Sequence, residues 1–186
     1  MTEVYLPSDS QRTLMRLSRQ ALENFVRRIR RQAQEIKDPY VLSAEYGAFV
    51  SLHKEEELRG CLGNCSPQAA LFETVTEMTE AAASRDGRVE PISEEELAEI
   101  RIGITVLSPL ARVGNPLALQ VGRHGLHVTC GAKRGVLLPQ VATQYRWDMG
   151  TFLEQTCLKA GLQKDAWKGQ ATQVSAFTAL IIEEQI

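Results

Sequence analysis

Long apolar runs are missing from the 186-residue sequence: none approaches the roughly 18–20 residues that a membrane-crossing helix needs. No membrane partner is expected. A basic excess is missing too. Lys and Arg number 21 against 23 Asp and Glu, a net charge of −2, so nucleic acid is not expected to bind by bulk charge. The N-terminus, Met1-Thr2-Glu3-Val4-Tyr5-Leu6-Pro7, has neither the basic nor the apolar region of a signal peptide, and the expected location is cytoplasmic. Cysteine is sparse. Cys61 and Cys65 form a C-x₃-C, while Cys130 and Cys157 stand alone. That spacing suits neither a disulfide framework nor a closed zinc site built from two close pairs, so four free thiols and no metal are expected. The Gly-rich patterns of phosphate and dinucleotide sites, the G-x-S-x-G elbow and the H-x-x-x-H pair are all lacking, and no cofactor is expected.

What is present is an ordinary globular composition, 44% hydrophobic and 24% charged. The length suits one domain over 1–186, with room for two lobes. Leu14, Leu17, Ala21, Phe25 and Ile29 recur at helical spacing behind the caps Ser8-Asp9-Ser10. Arg27, Arg28, Arg30 and Arg31 follow. They suit phosphate, or more plainly a solvated face with cations at a helix end. From Tyr46 the period becomes two: Ala48, Val50 and Leu52 alternate with Phe49 and Ser51. A polar turn leads to a second strand, Leu58 to Gly63, interrupted by Gly60 and Gly63. Pro67 opens a helix to Arg85-Asp86-Gly87 with an inner stripe of Leu71, Val75, Met78 and Ala82 and an outer face of Glu73, Glu77 and Glu80. Ser93-Glu94-Glu95-Glu96 has the form of a capping box for a short helix over about 94–100. Ile102, Ile104 and Val106 mark a strand, Leu126, Val128 and Cys130 another, and Val136-Leu137-Leu138 a third. Asp148 caps a helix ending at Gly161, and a last strand covers about 174–182. Hairpins interspersed with helices predict an α+β fold with a mainly antiparallel sheet.

An internal similarity runs through this order. Gly47 to Leu52 aligns with Gly125 to Cys130, each followed by a turn, Arg-Gly (Arg59-Gly60, Arg134-Gly135), a proline and a helix. Two repeated hairpin–helix units, about 46–84 and 125–161, account for it; chance likeness of two hairpins is the alternative. On the duplication reading the hairpins superpose with Gly47 on Gly125 and Arg59 on Arg134.

The stretch richest in chemistry is Leu58-Arg59-Gly60-Cys61-Leu62-Gly63. Strand alternation puts Arg59 and Cys61 on one face, where a guanidinium favours the thiolate or holds an anionic group. Gly60 and Gly63 leave the backbone open to a ligand. The bland alternative is a buried cysteine in a tightly packed hairpin. Cys157 and Cys130 fall on apolar stripes and read as core. Cys65 could resolve an oxidised Cys61, and His53 or His127 could serve it as a base, though nothing in the sequence pairs them.

These residues resemble a known family. Leu58 to Gly63 is similar to the Leu-Arg-Gly-Cys-Ile-Gly signature of the AMMECR1 domain. Ile104-Thr105-Val106-Leu107-Ser108-Pro109, Gly135 to Ala142, Trp147-Asp148, Phe152-Leu153 and Cys157 to Leu162 resemble its middle and second half. Leu62 stands for the usual Ile, and Asp86-Gly87-Arg88-Val89 for the commoner Asp-Pro-Arg-Phe. The resemblance implies an α+β fold with two repeated units. It adds Gln140, Trp147 and Asp148 to Gly60 and Gly63 as ligand-binding residues, beside Cys61 and Arg59 as the reactive pair. No activity is established for that family. Its eukaryotic member is nuclear, with proposed roles in transcription, replication, repair and translation. Prokaryotic members are grouped with a Memo-like protein and a radical SAM protein in an AmmeMemoRadiSam system. The short chain resembles such a member, which implies those two partners, or a small-molecule or peptide ligand. Two functions follow: a binding or accessory component working through Arg59–Gly63, which is preferred because no nucleophile–base pair is legible, or an enzyme using Cys61 as nucleophile or redox thiol.

Overall fold

The structure is a computed structural model that describes residues 2–30 and 35–185. Its elements are α1 (Ser8–Val26), α2 (Pro39–Leu42), β1 (Gly47–Lys54), β2 (Glu57–Asn64), α3 (Leu71–Ser84), β3 (Ile100–Leu107), β4 (Ala111–Arg112), β5 (His124–Cys130), β6 (Lys133–Leu137), α4 (Pro139–Gln144), α5 (Met149–Lys159) and β7 (Gln173–Glu183). The strand pairings are antiparallel, so the fold is α+β, as the interspersed hairpins predict. The chain divides into two compact units. The larger comprises Tyr5–Leu107 and Leu180–Ile186, the smaller Met1–Val4 and Ser108–Ala179. Among the described residues no helix is long and apolar enough to cross a membrane.

In the larger unit β1 lies between β2 and β3. The pleat sends Ala48, Val50 and Leu52 to the side of α3, level with Val106, Ile104 and Ile102 of β3, and all six are buried. Leu71, Val75 and Ala82 of α3 complete this core. Helix α3 is covered by α1 as well as by the sheet, which is why Thr74, Thr76 and Thr79 are also buried. Thr79 answers the polarity cost through its own helix and a 2.7 Å hydroxyl–hydroxyl bond with Ser18 of α1. Met78 of the expected stripe is only half-buried, as is Glu80, while Glu73 and Glu77 are exposed. At the chain's end Glu184 pairs with Arg19 and accepts the Ile102 N–H at 3.1 Å.

Several expectations are corrected here. Ser8, Asp9 and Ser10 are the first residues of α1 and not its caps: Pro7 is the N-cap, with no side-chain bond, and Asp9 pairs with Arg12 inside the first turn. Helix α1 stops at Val26, so Phe25 (41% exposed) and Ile29 (55%) bury little. Arg27 pairs with Glu94 at 3.3 Å, Arg28 and Arg30 are exposed, and Arg31 lies outside the described residues. Helix α3 begins at Leu71, four residues after Pro67. Residues 94–99 form successive turns rather than a helix, although Glu96 does reach back to the Ser93 N–H at 3.1 Å.

In the smaller unit β5 lies between β6 and β7, and β4 pairs with β7. Leu126, Val128, Phe152, Leu153 and Cys157 form its core. Asp148 caps α5 through the Thr151 N–H at 2.7 Å, as expected, and the helix ends at Lys159, ahead of Gly161 with φ +70°. Cys157 is fully buried; Cys130 is half-buried, at the end of its strand next to the turn.

The two hairpins do not share one register. Gly60 pairs with Leu52, whereas Gly135 pairs with Val128, which aligns with Val50 in sequence. Placing Gly47 on Gly125 therefore leaves Gly60 and Gly135 two positions apart along the ladder, and Arg59 does not fall on Arg134.

Candidate functional site

The signature strand β2 carries a β-bulge. His53 pairs with Leu58 and Leu52 with Gly60, which leaves Arg59 as the extra residue. The bulge interrupts the alternation that would put Arg59 and Cys61 together. Leu58 holds the register position on the Cys61 face, and the Arg59 guanidinium goes instead to Glu96. Its Nε donates to Oε1 at 2.9 Å and its Nη2 to Oε2 at 3.2 Å. The pair is largely sheltered, with side chains 14% and 20% exposed. This bidentate grip holds the Glu96 carboxyl down at about 2, helped by the Ser93 N–H, and raises the Arg59 pKa.

The glycines are also occupied by the protein itself. Gly60 lies on the α3 side, where a Cβ would collide with the main-chain carbonyl of Ala82. Gly63 lies on the opposite face, where a Cβ would enter the ring of Phe49. The absent side chains bring helix and ring close; they do not hold space for a ligand at those two points. The sequence reading of Gly60 as a ligand opening is corrected accordingly.

Cys61 lies on the face away from α3, opposite Ser51, half-buried. Ser51 donates in turn to the Gly103 carbonyl at 3.4 Å. Cys61 is gripped through its main chain. Its N–H donates to Asp86 Oδ2 at 2.9 Å, and its carbonyl accepts from Arg88 Nη2 at 3.4 Å. Asp86 and Arg88 are joined by three further bonds, Nε to Oδ1 at 2.8 Å, Nη2 to Oδ2 at 2.6 Å and the Arg88 N–H to Oδ1 at 3.2 Å. Asp86 is buried, yet the Arg88 guanidinium above all, then the Cys61 and Arg88 main-chain N–H groups, hold its carboxyl far below the usual carboxylate range. The Arg88 pKa is raised, chiefly by Asp86, with a smaller contribution from a charged Cys61. Arg88, with 65% of its side chain exposed, is therefore the cation this structure pairs with Cys61. The sequence reading missed it. The signal was the Asp-x-Arg spacing after α3.

The remaining candidates fall elsewhere. His53 shares the Cys61 face of β1, between Leu58 and Arg101. His127 belongs to the smaller unit, opposite Val136, where burial and then Arg134 lower its pKa. Gln140, Trp147 and Asp148 are also in the smaller unit. Gln140 Oε1 is buried without a hydrogen-bond partner, Trp147 stacks on Tyr145 with centroids 4.9 Å apart, and Asp148 is the α5 cap, its pKa lowered by the Thr151 N–H. Among the described residues no three His, Cys, Asp or Glu side chains converge as a metal site.

Comparison with known proteins agrees over nearly the whole chain. The family model described as AMMECR1 matches residues 15–182. A protein of Methanothermobacter thermautotrophicus is 37% identical over 185 residues, covering 96% of this chain and 96% of its own length. One of Thermococcus kodakarensis is 39% identical over 182 residues, covering 92% and 89%. One of Aquifex aeolicus is 36% identical over 185 residues, covering 94% and 92%. The crystal structure of an uncharacterised protein from Pyrococcus horikoshii matches with a TM-score of 0.89 at 33% identity, covering 97% of this chain and 94% of that one.

Proposed function

Because the chain belongs to the AMMECR1 family, we propose that it acts as a binding or accessory component, engaging Memo-like and radical SAM proteins through the surface around Cys61. Arg88, Cys61 and the edge of β2 are the groups offered to a partner. Arg59 serves that surface from behind, by anchoring the 93–100 segment through Glu96. The observation that carries this reading is the Asp86 carboxylate, which holds the Cys61 main chain and the exposed Arg88 guanidinium together. Such an arrangement fixes a recognition surface more clearly than it equips a nucleophile. The test is capture of purified Memo-like and radical SAM proteins by the wild type, Arg88→Gln and Cys61→Ser. Saturable capture that Arg88→Gln weakens roughly tenfold, about 1.4 kcal/mol, supports the reading. Capture by neither protein, or capture indifferent to both changes, overturns it.

One observation favours a second reading. Arg88 Nη2 donates to the Cys61 carbonyl at 3.4 Å, which brings a cation to the residue that carries the thiol and suits a nucleophilic or redox thiol. Iodoacetamide reacting with Cys61 faster than with a free thiol at neutral pH, and slowing in Arg88→Gln, supports that enzymatic version.

A further inference from the structure

The main chain of β2 has two edges, and β1 occupies one of them. Cys61 turns its N–H and carbonyl to the other edge, where Asp86 and Arg88 supply the acceptor and donor that a neighbouring strand would supply. Antiparallel alternation then turns Leu62 toward β1 and Gly63 outward again. By that alternation the Gly63 N–H and carbonyl point away from β1, and among the described residues no turn, loop or cap main-chain bond reaches them. Two further features mark this open position. The Phe49 ring lies against Gly63 on the Cys61 face. Arg88 uses Nε and Nη2 on Asp86 and Cys61, and its Nη1 has no partner among the described residues.

We propose that the outer edge of β2 at Gly63 is the docking position for an extended peptide segment of a partner protein. The proposal rests on the reading of the Cys61 surface as a binding surface and names its occupant. One residue of the segment exchanges main-chain hydrogen bonds with Gly63, adding a strand to the sheet. Its side chain falls on the Phe49 face, which selects an apolar residue. The segment leaves the edge where Asp86 and Arg88 close it, and on that unpaired flank the side chain two residues from the paired one reaches the exposed Arg88, which selects a carboxylate. The recognised pattern is thus an apolar residue and an Asp or Glu two positions apart. Asp86 and Arg88 close the edge at Cys61 and so fix where the segment can start to pair.

The test uses isotope-labelled protein and NMR. In the free protein the Gly63 amide exchanges with solvent at least about tenfold faster than the Leu62 amide, which β1 protects. A heptapeptide pool with leucine third and glutamate fifth, otherwise randomised, shifts the Gly63 amide and slows its exchange. The same pool with lysine fifth does so at least roughly tenfold less strongly, and Arg88→Gln loses the difference between the pools. A Gly63 amide as protected as that of Leu62 in the free protein, or unmoved by the glutamate pool, overturns the proposal. If Memo-like or radical SAM capture depends on Arg88 while Gly63 stays unmoved, the binding reading stands and the peptide edge falls. If Gly63 responds and neither protein is captured, the edge stands and that choice of partners falls.

Discussion

The Oδ2 atom of Asp86 lies 2.9 Å from the main-chain nitrogen of Cys61 and accepts its N–H. The same carboxylate holds Arg88, so one buried acid sets both the position of the signature cysteine and the orientation of the cation beside it. Asp86→Ala removes every one of these bonds and leaves the Cys61 N–H without its acceptor. It is expected to cost about 2–4 kcal/mol in urea melts. Asp86→Asn keeps one oxygen and is expected to cost less. Equal costs would mean that the charge, and not the hydrogen bonds, carries the contact.

The acid side of the stability profile follows from the same group and from Glu96. Both carboxyls are held below their ordinary values of 3.8 and 4.5. Their contribution is therefore complete above the ordinary values and is lost as the pH falls toward the folded-state values, about 2 for Glu96. Stability is expected to decline from about pH 5 downward. Glu96→Gln is expected to flatten that decline while lowering stability near neutral pH by about 1–2 kcal/mol. Thermal melts across the acid range read both effects.

Gly60→Ala tests close packing against ligand access. The new methyl meets the Ala82 main chain, which cannot rotate away, and the cost is expected to reach about 3 kcal/mol. Gly87→Ala has nothing within 4 Å and is expected to stay within about 0.5 kcal/mol of the wild type. Similar melting temperatures for the two variants would return Gly60 to the role of an opening for ligand.

Along α3 the expected order of damage is Leu71→Ala at about 2–5 kcal/mol, then half-buried Met78→Ala at about 1–2, then exposed Glu77→Ala at about 0.5 or less. Denaturant midpoints check the order. A Met78 cost matching that of Leu71 would show that α3 buries more of that face than the fold describes.

No disulfide joins the four cysteines, and they differ in reach. Cys157 is buried, and burial pushes its thiol pKa up. Alkylation of native protein is expected to modify Cys61, Cys65 and Cys130 and to spare Cys157 until unfolding. Mass spectrometry of the native and unfolded samples counts them.

Periodic elements were legible in the sequence because periodicity is a local property. The alternation of Ala48, Val50 and Leu52, the Ile102–Val106 strand and the Asp148 cap all rest on neighbours a few residues away. What stayed hidden depends on partners far along the chain. The Arg59–Glu96 pair spans 37 residues and the Cys61–Asp86 bond 25. No spacing rule reveals that a carboxylate beyond the next helix claims the arginine, or that the cation for Cys61 comes from residue 88. The bulge is hidden for a related reason. The register is regular from Lys54–Glu57 to His53–Leu58 and shifts only at Arg59, and the Arg-Gly pair alone does not announce it. Met78 and the buried threonines of α3 were misjudged because the stripe counted one packing surface where α1 provides a second.

The extra residue at Arg59 works as a gear change within one strand. On the turn side of it Leu58 faces with His53; on the far side Gly60 faces with Leu52, and the count has slipped by one. A hairpin tip lengthened or shortened by a residue normally flips every side chain beyond it to the wrong face. Here the slack is taken up before Cys61 is reached. The tip, Glu55 to Leu58, thus keeps a phase of its own while the phase from Gly60 onward stays locked to α3 through Ala82. Variation in one half of β2 is insulated from the other, and a deletion at Arg59 would abolish that insulation by coupling the two halves into a single regular ladder.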